Sequence, residues 1–418
     1  MSVGLAALSC TAQISGPGGD DGSDPGAAEA CEEVQPGPSP LRRLSRFEYN
    51  NTVRDLFGID THPADAFTPE KVALGFNNQA ASLTVSPLLA EQYMDAAEAI
   101  SVAATADMTA LLPCDPAAAG ESECAHDLIV KLGERVYRRP LSADQVEELS
   151  GVFAWGLENH DFATGIQLVI QAMLQSPYFL YRVELGGEAV GEGAIRLDDW
   201  AMASRLSYML WGTMPDEALF DAARLGELST KEQIAAQARR MLDDPRAHAA
   251  LRNFYGQWLK LADVTNAEKD PGIYPGFSPE VRDLLRRETE TFVDHVVWES
   301  GGGLRELLTA SYTFMNGPLA DFYGIDGPTG DDFEKVSLPD SKRAGLLTEA
   351  GILAAHSMAY QSSPILRGKF VREQILCMPL PPPPNDVEII PPDLDPNLTT
   401  RERFDAHRDN PACSGCHN

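Results

Sequence analysis

Basic residues are scarce in this chain. Its 418 residues hold 33 Lys and Arg against 62 Asp and Glu, a formal charge of −29. A nucleic-acid duplex is bound by displacing its counterions with a basic face, so the composition excludes nucleic acid as a partner. Adsorption to an anionic membrane surface is excluded on the same ground. Long apolar runs are missing as well: none approaches the ~18 residues that a spanning helix needs. Seven cysteines are too few for a disulfide scaffold. There is no Gly-x-Ser-x-Gly elbow, no phosphate loop and no His-Glu-x-x-His, and no catalytic residue is assigned. What the chain does have is material for cores. Hydrophobic residues make up 44% of it, which excludes wholesale disorder.

The pattern of that material is helical. Ser45-x-x-Glu48 and Ser142-x-x-Gln145 are capping boxes, with Leu44/Tyr49 and Leu141/Val146 placed as hydrophobic staples. Ser229-x-x-Glu232 reads as a third box. Asp198 is placed to cap DDWAMASRLSYMLW, and Gly212 to stop it. Ser278-Pro279 and Ser363-Pro364 each put a capping serine before a proline at the first helical position. Alternating runs are few. The fold class that follows is all-α: successive helical bundles with an N-terminal disordered tether and a Pro-rich C-terminal linker. Breaks at Gly-, Pro- and Asp-rich stretches divide the chain into segments 1–40, 41–111, 112–186, 195–325 and 340–418. Two of those breaks are 326–340 and the proline run 379–396.

The acid pairs Asp198-Asp199 and Asp243-Asp244 fall at helix ends and read as caps or solvated faces. Arg138-Arg139 and Arg239-Arg240 read as local ion pairs in an acidic chain. Arg367, Lys369 and Arg372 recur at near-helical spacing, as a solvated face or as partners for haem propionates.

The cysteines are unevenly placed. MSVGLAALSC resembles the tail of a secretory apolar region ending in a lipobox-like Cys10, but it lacks a basic start and is too short to be complete. The natural start is therefore expected upstream, or Met1 is internal. Export is expected, to the periplasm or cell surface, with Cys10 as the lipidation site and the only route to a membrane. Residues 11–40 are rich in Gly, Pro, Ser and acids and read as a tether. An ordinary N-terminus and linker is the competing reading. Cys114 and Cys124, ten residues apart across a break, are expected to form a disulfide in an exported chain, against two buried thiols. Cys31 and Cys377 have no assignment.

At the other end stands Cys413-Ser414-Gly415-Cys416-His417-Asn418. Cys-x-x-Cys-His is the c-type haem attachment signature. Its two thiols add across the porphyrin vinyl groups, and the adjacent histidine ligates the iron. Cys413 and Cys416 are thus the expected covalent haem positions, His417 the axial iron ligand and haem c the cofactor. A Cys413–Cys416 disulfide, a redox dithiol and a zinc site drawing on Cys377 compete with this reading. His407, His356, Met358 and Met378 are the upstream candidates for a second axial ligand, and none is preferred.

Several blocks together resemble a large family of exported multidomain proteins, of planctomycete and myxobacterial type, whose function is unknown. The blocks are LRRLSRFEYNNTVRDLFGI at 41–59, CAHDLIVKLGERVYRRPLS at 124–142 and IQAMLQSPYFLYRVE at 170–184. RLDDWAMASRLSYMLWGTMPDEAL at 196–219 and SSPILRGKFVREQILCMPLPPPPNDV at 362–387 follow, leading to TTRERFDAHRDNPACSGCHN at 399–418. The resemblance implies a C-terminal cytochrome c-like segment in which Cys413 and Cys416 are thioether positions and His417 is the axial ligand. It implies no catalytic residue. Members usually continue past this motif with an Asp-Pro segment and a further domain, which implies a natural chain longer than 418 residues. The function expected is electron transfer, or the redox module of an extracellular polymer-degrading system, with a redox partner protein. The alternative is a cell-surface binding or scaffold protein whose Cys-x-x-Cys-His is a disulfide or a zinc site.

Overall fold

The computed structural model describes residues 38–184, 187, 189–190, 194–338, 343–378, 380, 395 and 397–409, the last five of these by backbone alone. The expected tether up to residue 37, with Cys10 and Cys31, lies outside the described residues. So do nearly all of the proline run and the Cys413–His417 motif.

Helices dominate, and their starts follow from the caps. β1 (Arg42–Arg43) leads into α1 (Arg46–Phe57), where Ser45 and Glu48 close a reciprocal box. α2 is Pro87–Ala104, capped by Ser86. α3 (Glu121–Tyr137), α4 (Ala143–Asn159) and α5 (Phe162–Gln175) follow, with the Ser142–Gln145 box opening α4. α4 and α5 form a close hairpin. A Cβ built on Gly156 would lie 2.6 Å from the Cα of Gly165, so the crossing requires glycine on both faces. β2 (Tyr181–Arg182) then returns antiparallel to β1, pairing Arg42 with Arg182.

One core runs through this half. Leu44, Tyr49, Val53, Ile100, Ile129, Ile170 and Phe179 are buried in it together, drawn from both the 41–111 and the 112–186 stretches. Tyr49 packs edge-on to Phe67 and Phe179 at 5.0 and 5.5 Å. Each such ring contributes about 1.5–3 kcal/mol by leaving water.

α6 (Asp199–Leu210), α7 (Glu217–Arg224), α8 (Lys231–Leu242) and α9 (Pro245–Trp258) build a smaller core around Trp211 and Met241. Asp198 caps α6, and Gly212 follows its end at φ 63°. The box at α8 sits one residue later than the sequence suggests: Thr230 and Gln233 close it, not Ser229 and Glu232. Both pairs have the right spacing, and the helix begins at Lys231, which makes Thr230 the cap.

α10 (Pro279–Asp294) continues into one π turn, His295–Glu299. β3 (Tyr312–Met315) pairs antiparallel with β4 (Glu334–Ser337). β4 lies inside the stretch 326–340, which reads as a break because its strand is four residues long and mostly exposed. α11 (Ala350–Ala355) and α12 (Pro364–Phe370) complete the third core, where Leu346, Ile352 and Phe370 pack with Tyr255, Phe292 and Met315. The start of the C-terminal segment is thus part of the central body. A last helix, α13 (Thr400–Asp409), stands before the motif. No helix among the described residues is long and apolar enough to cross a membrane.

Candidate functional site

Cys413, Cys416 and His417, the expected haem and iron ligands, lie outside the described residues, as does the side chain of His407. The elements that lead to them are described. Ser363 caps α12, which carries on through a π turn at Val371–Ile375. The Trp258 indole N–H donates to the Gln374 carbonyl at 2.7 Å and pins that turn to α9. Beyond it Cys377 adopts φ 52° and exposes a free thiol.

On the outer face of α12 is an open groove of about 640 Å³. Leu353, Val371, Leu376 and Met378 give it apolar walls, and Arg367 and Arg372 stand on its rim. Lys369 is exposed and faces Glu373 at 3.9 Å, so the three basic residues do not share one role. Haem presents a flat apolar macrocycle and two propionate carboxylates. Apolar walls with two guanidinium groups fit both features, so the described part of the segment is chemically compatible with the group.

The upstream axial candidates differ in access. Met378 is half-exposed beside the groove. Met358 receives a long contact from Gln361 at 3.9 Å. His356 is buried and stacks on Phe370 at 4.2 Å, with Nε2 lacking any hydrogen-bond partner among the described residues. Burial, then the nearby Lys260, holds its pKa below the usual histidine range. Among the described residues no three His, Cys, Asp or Glu are grouped to hold a metal ion.

Two carboxylates occupy the third core. Glu288 accepts from the Thr313 hydroxyl at 2.7 Å and the Tyr323 hydroxyl at 2.5 Å, with Arg343 at 3.8 Å. Glu349 accepts from Thr289 at 2.5 Å, while its other oxygen is buried without a partner among the described residues. Burial raises the pKa of Glu288. Burial and the charge of Glu288 push Glu349 well above the carboxylate range. With a single guanidinium nearby, the geometry suits one ionised and one protonated acid. A sequence signal existed: Leu285, Glu288, Thr289 and Phe292 occupy one helical stripe, which puts an acid at a core position.

Elsewhere the described site residues are structural. Cys114 and Cys124 are joined by a disulfide, with Cα atoms 5.7 Å apart and Cys124 buried in the first turn of α3. Asp198 and Asp244 are N-caps, and Asp243 ends α8. Arg240 pairs with Asp216 at 2.8 Å. Arg138, read as part of an ion pair, makes none among the described residues. It is buried and donates to the carbonyls of Val136, Tyr178, Phe179 and Tyr181 at 2.7–3.2 Å. Those last carbonyls end the short helix Pro177–Leu180, so Arg138 serves as its C-terminal cap from 40 residues away.

Comparison with known proteins matches four family models along the chain. Residues 42–106 match PSD3 (protein of unknown function, DUF1587) and residues 124–184 match PSD5 (protein of unknown function, DUF1595). Residues 197–325 match PSD4 (protein of unknown function, DUF1592). Residues 343–418 match PSCyt3 (protein of unknown function, DUF1588). The chain carries the planctomycete domains PSD3, PSD5 and PSD4 and a C-terminal PSCyt3 domain. Its PSCyt3 domain is cytochrome-like and contains the groove, His356 and the Cys413–His417 motif. Neither a curated protein nor a solved structure matches the chain.

Proposed function

We propose that this is an exported c-type haem protein that transfers electrons, alone or as the redox module of an extracellular polymer-degrading system. The observation that carries the reading is a Cys-x-x-Cys-His within a cytochrome-like PSCyt3 domain. Cys413 and Cys416 would hold the haem covalently, and His417 would ligate its iron. The group supplies one-electron chemistry. The protein's own contribution is an apolar, arginine-rimmed surface in the same domain. A disulfide at Cys114–Cys124 supports export, since such bonds persist in oxidising compartments. Cys10 is the proposed lipid anchor, and a redox partner protein is required by the role.

The test is a pyridine haemochrome spectrum of the denatured full-length protein, expressed in a host that matures c-type cytochromes. Covalent haem is expected in the wild type and none in Cys416→Ala. Wild type without covalent haem overturns the proposal, and bound zinc in its place would favour a cell-surface scaffold.

A further inference from the structure

A cleft of about 390 Å³ opens where PSD3, PSD5 and PSD4 meet. Its lining comes from all three: Arg42 and Phe76 from the first, Arg182 from the second, Arg205, Tyr208 and Phe254 from the third. The volume is that of a small-molecule site.

The lining holds three arginines, Arg42, Arg182 and Arg205, against one acid, Glu48, so charge in the cleft is opposite in sign to that of the chain. Arg42 and Arg182 sit directly opposite each other in the β1–β2 ladder. Like charges in that register destabilise a sheet. Two of the cleft arginines have close acidic partners. Arg42 donates to Glu48 at 2.5 Å. Arg205 donates to Glu184 at 2.9 Å and to Ser39 at 2.9 Å. Arg182 differs. Among the described residues it leans on the Tyr208 ring at 5.8 Å, its nearest carboxylate is Glu184 at 3.9 Å, and its Nε is buried without a partner. Its side chain is only 17% exposed. A guanidinium so desolvated and so weakly paired is costly unless an anion completes it.

The aromatic part of the lining has another chemistry. Phe76 and Phe254 stack at 5.5 Å with planes 12° apart, and Phe254 stacks in turn on Trp258. Phe254 keeps 49% of its surface in solvent. Asn78 and Asn253 add amides to the lining. A flat apolar face, amides for hydroxyl groups and a planar cation for an acid group form one recognition set.

We infer that this cleft binds an acidic sugar unit, its carboxylate or sulfate on Arg182 and Arg42 and its C–H face on Phe76 and Phe254. The site is independent of the haem motif and of the electron-transfer reading. It also gives the three PSD domains a common purpose, since none of them lines the cleft alone.

Calorimetric titration of the full-length protein tests this with digalacturonate, a sulfated disaccharide, cellobiose and sodium sulfate. At least one acidic disaccharide is expected to bind at least ~10-fold more tightly than cellobiose, which lacks the charge-assisted hydrogen bond, and than sulfate, which lacks the apolar ring contacts. The better of the two acids identifies the anionic group. Arg182→Gln should weaken that acid roughly ten- to hundredfold. It removes the like-charge pair, so a melting curve no lower than wild type serves as its folding control. Phe254→Ala, at a half-exposed position, should weaken the acidic disaccharide while leaving the weak sulfate signal unchanged. No binding by either acid, cellobiose or sulfate binding as tightly, or an undiminished Arg182→Gln each overturns the inference.

Discussion

In the N-terminal core Arg138 lies buried with its guanidinium on four backbone carbonyls and the Tyr208 hydroxyl. In the C-terminal core Glu288 and Glu349 lie equally buried, with one guanidinium at 3.8 Å and one carboxylate oxygen that has no partner among the described residues. The first arrangement converts a charge into a cap: its N–H groups meet carbonyls at or just beyond helix ends. The second gives two acids three hydroxyl donors and one guanidinium, too little for two negative charges, and protonation of one lowers the cost. Burial of a charge therefore has no fixed sign for stability. What decides it is whether the surrounding polar groups are complementary.

Substitutions can break that contrast. Arg138→Met should be the most damaging, on the order of 3–5 kcal/mol in urea unfolding, because it strands buried carbonyls. A loss under about 1 kcal/mol would show that water replaces the guanidinium. Removing the Cys114–Cys124 bond by a double Ser substitution should cost about 2–3 kcal/mol in the same assay. Cys377→Ser, at an exposed thiol in the C-terminal half, should stay within about 0.5 kcal/mol. The serine caps provide a matched pair across the two regions. Ser45→Ala and Ser363→Ala should each lower stability by about 1 kcal/mol, as read from the shift in denaturation midpoint.

The acid pair calls for the opposite sign. A carboxylate whose pKa is raised by folding holds a proton that the unfolded chain has released. Its contribution is therefore intact below the unfolded value, about 4.3, and declines as pH rises toward the folded value. Glu349→Gln keeps the shape and removes the titration. Relative to wild type it should be nearly neutral at pH 4 and increasingly stabilising from pH 5 to pH 8. A difference that stays flat over that range would mean that Glu349 is ionised in the folded protein, against the direction given by its burial and by Glu288.

Features local in sequence were legible, and those assembled over distance were not. Ser45, Ser142, Asp198, Ser278 and Ser363 all cap the helices they announce, because a cap reads only the next three residues. The slip at α8 arose where two hydroxyls and two N3 acceptors stand side by side. Arg138 was misread because its carbonyl partners come 40 and more residues later. The Glu288 position carried a stripe signal, but its partners Thr313, Tyr323 and Glu349 arrive from three other elements. The cleft needs three segments at once, and no local pattern in any of them marks it. Cys413-x-x-Cys416-His417 is legible for the opposite reason, since its chemistry is contained in five consecutive residues.

The β1–β2 ladder has a consequence in time. It joins Arg42 to Arg182, 140 residues apart (42 to 182), through two residue pairs. At roughly 5–20 residues per second of synthesis, Arg42 waits about 7–28 s before its partner is made. A contact that arrives so late, and that sets two cations side by side, does not start the folding of this half. It acts as a latch, closed by hydrophobic packing that forms around it. The cleft, which needs that latch and then α6 and α9, cannot exist before residue 257 has been made.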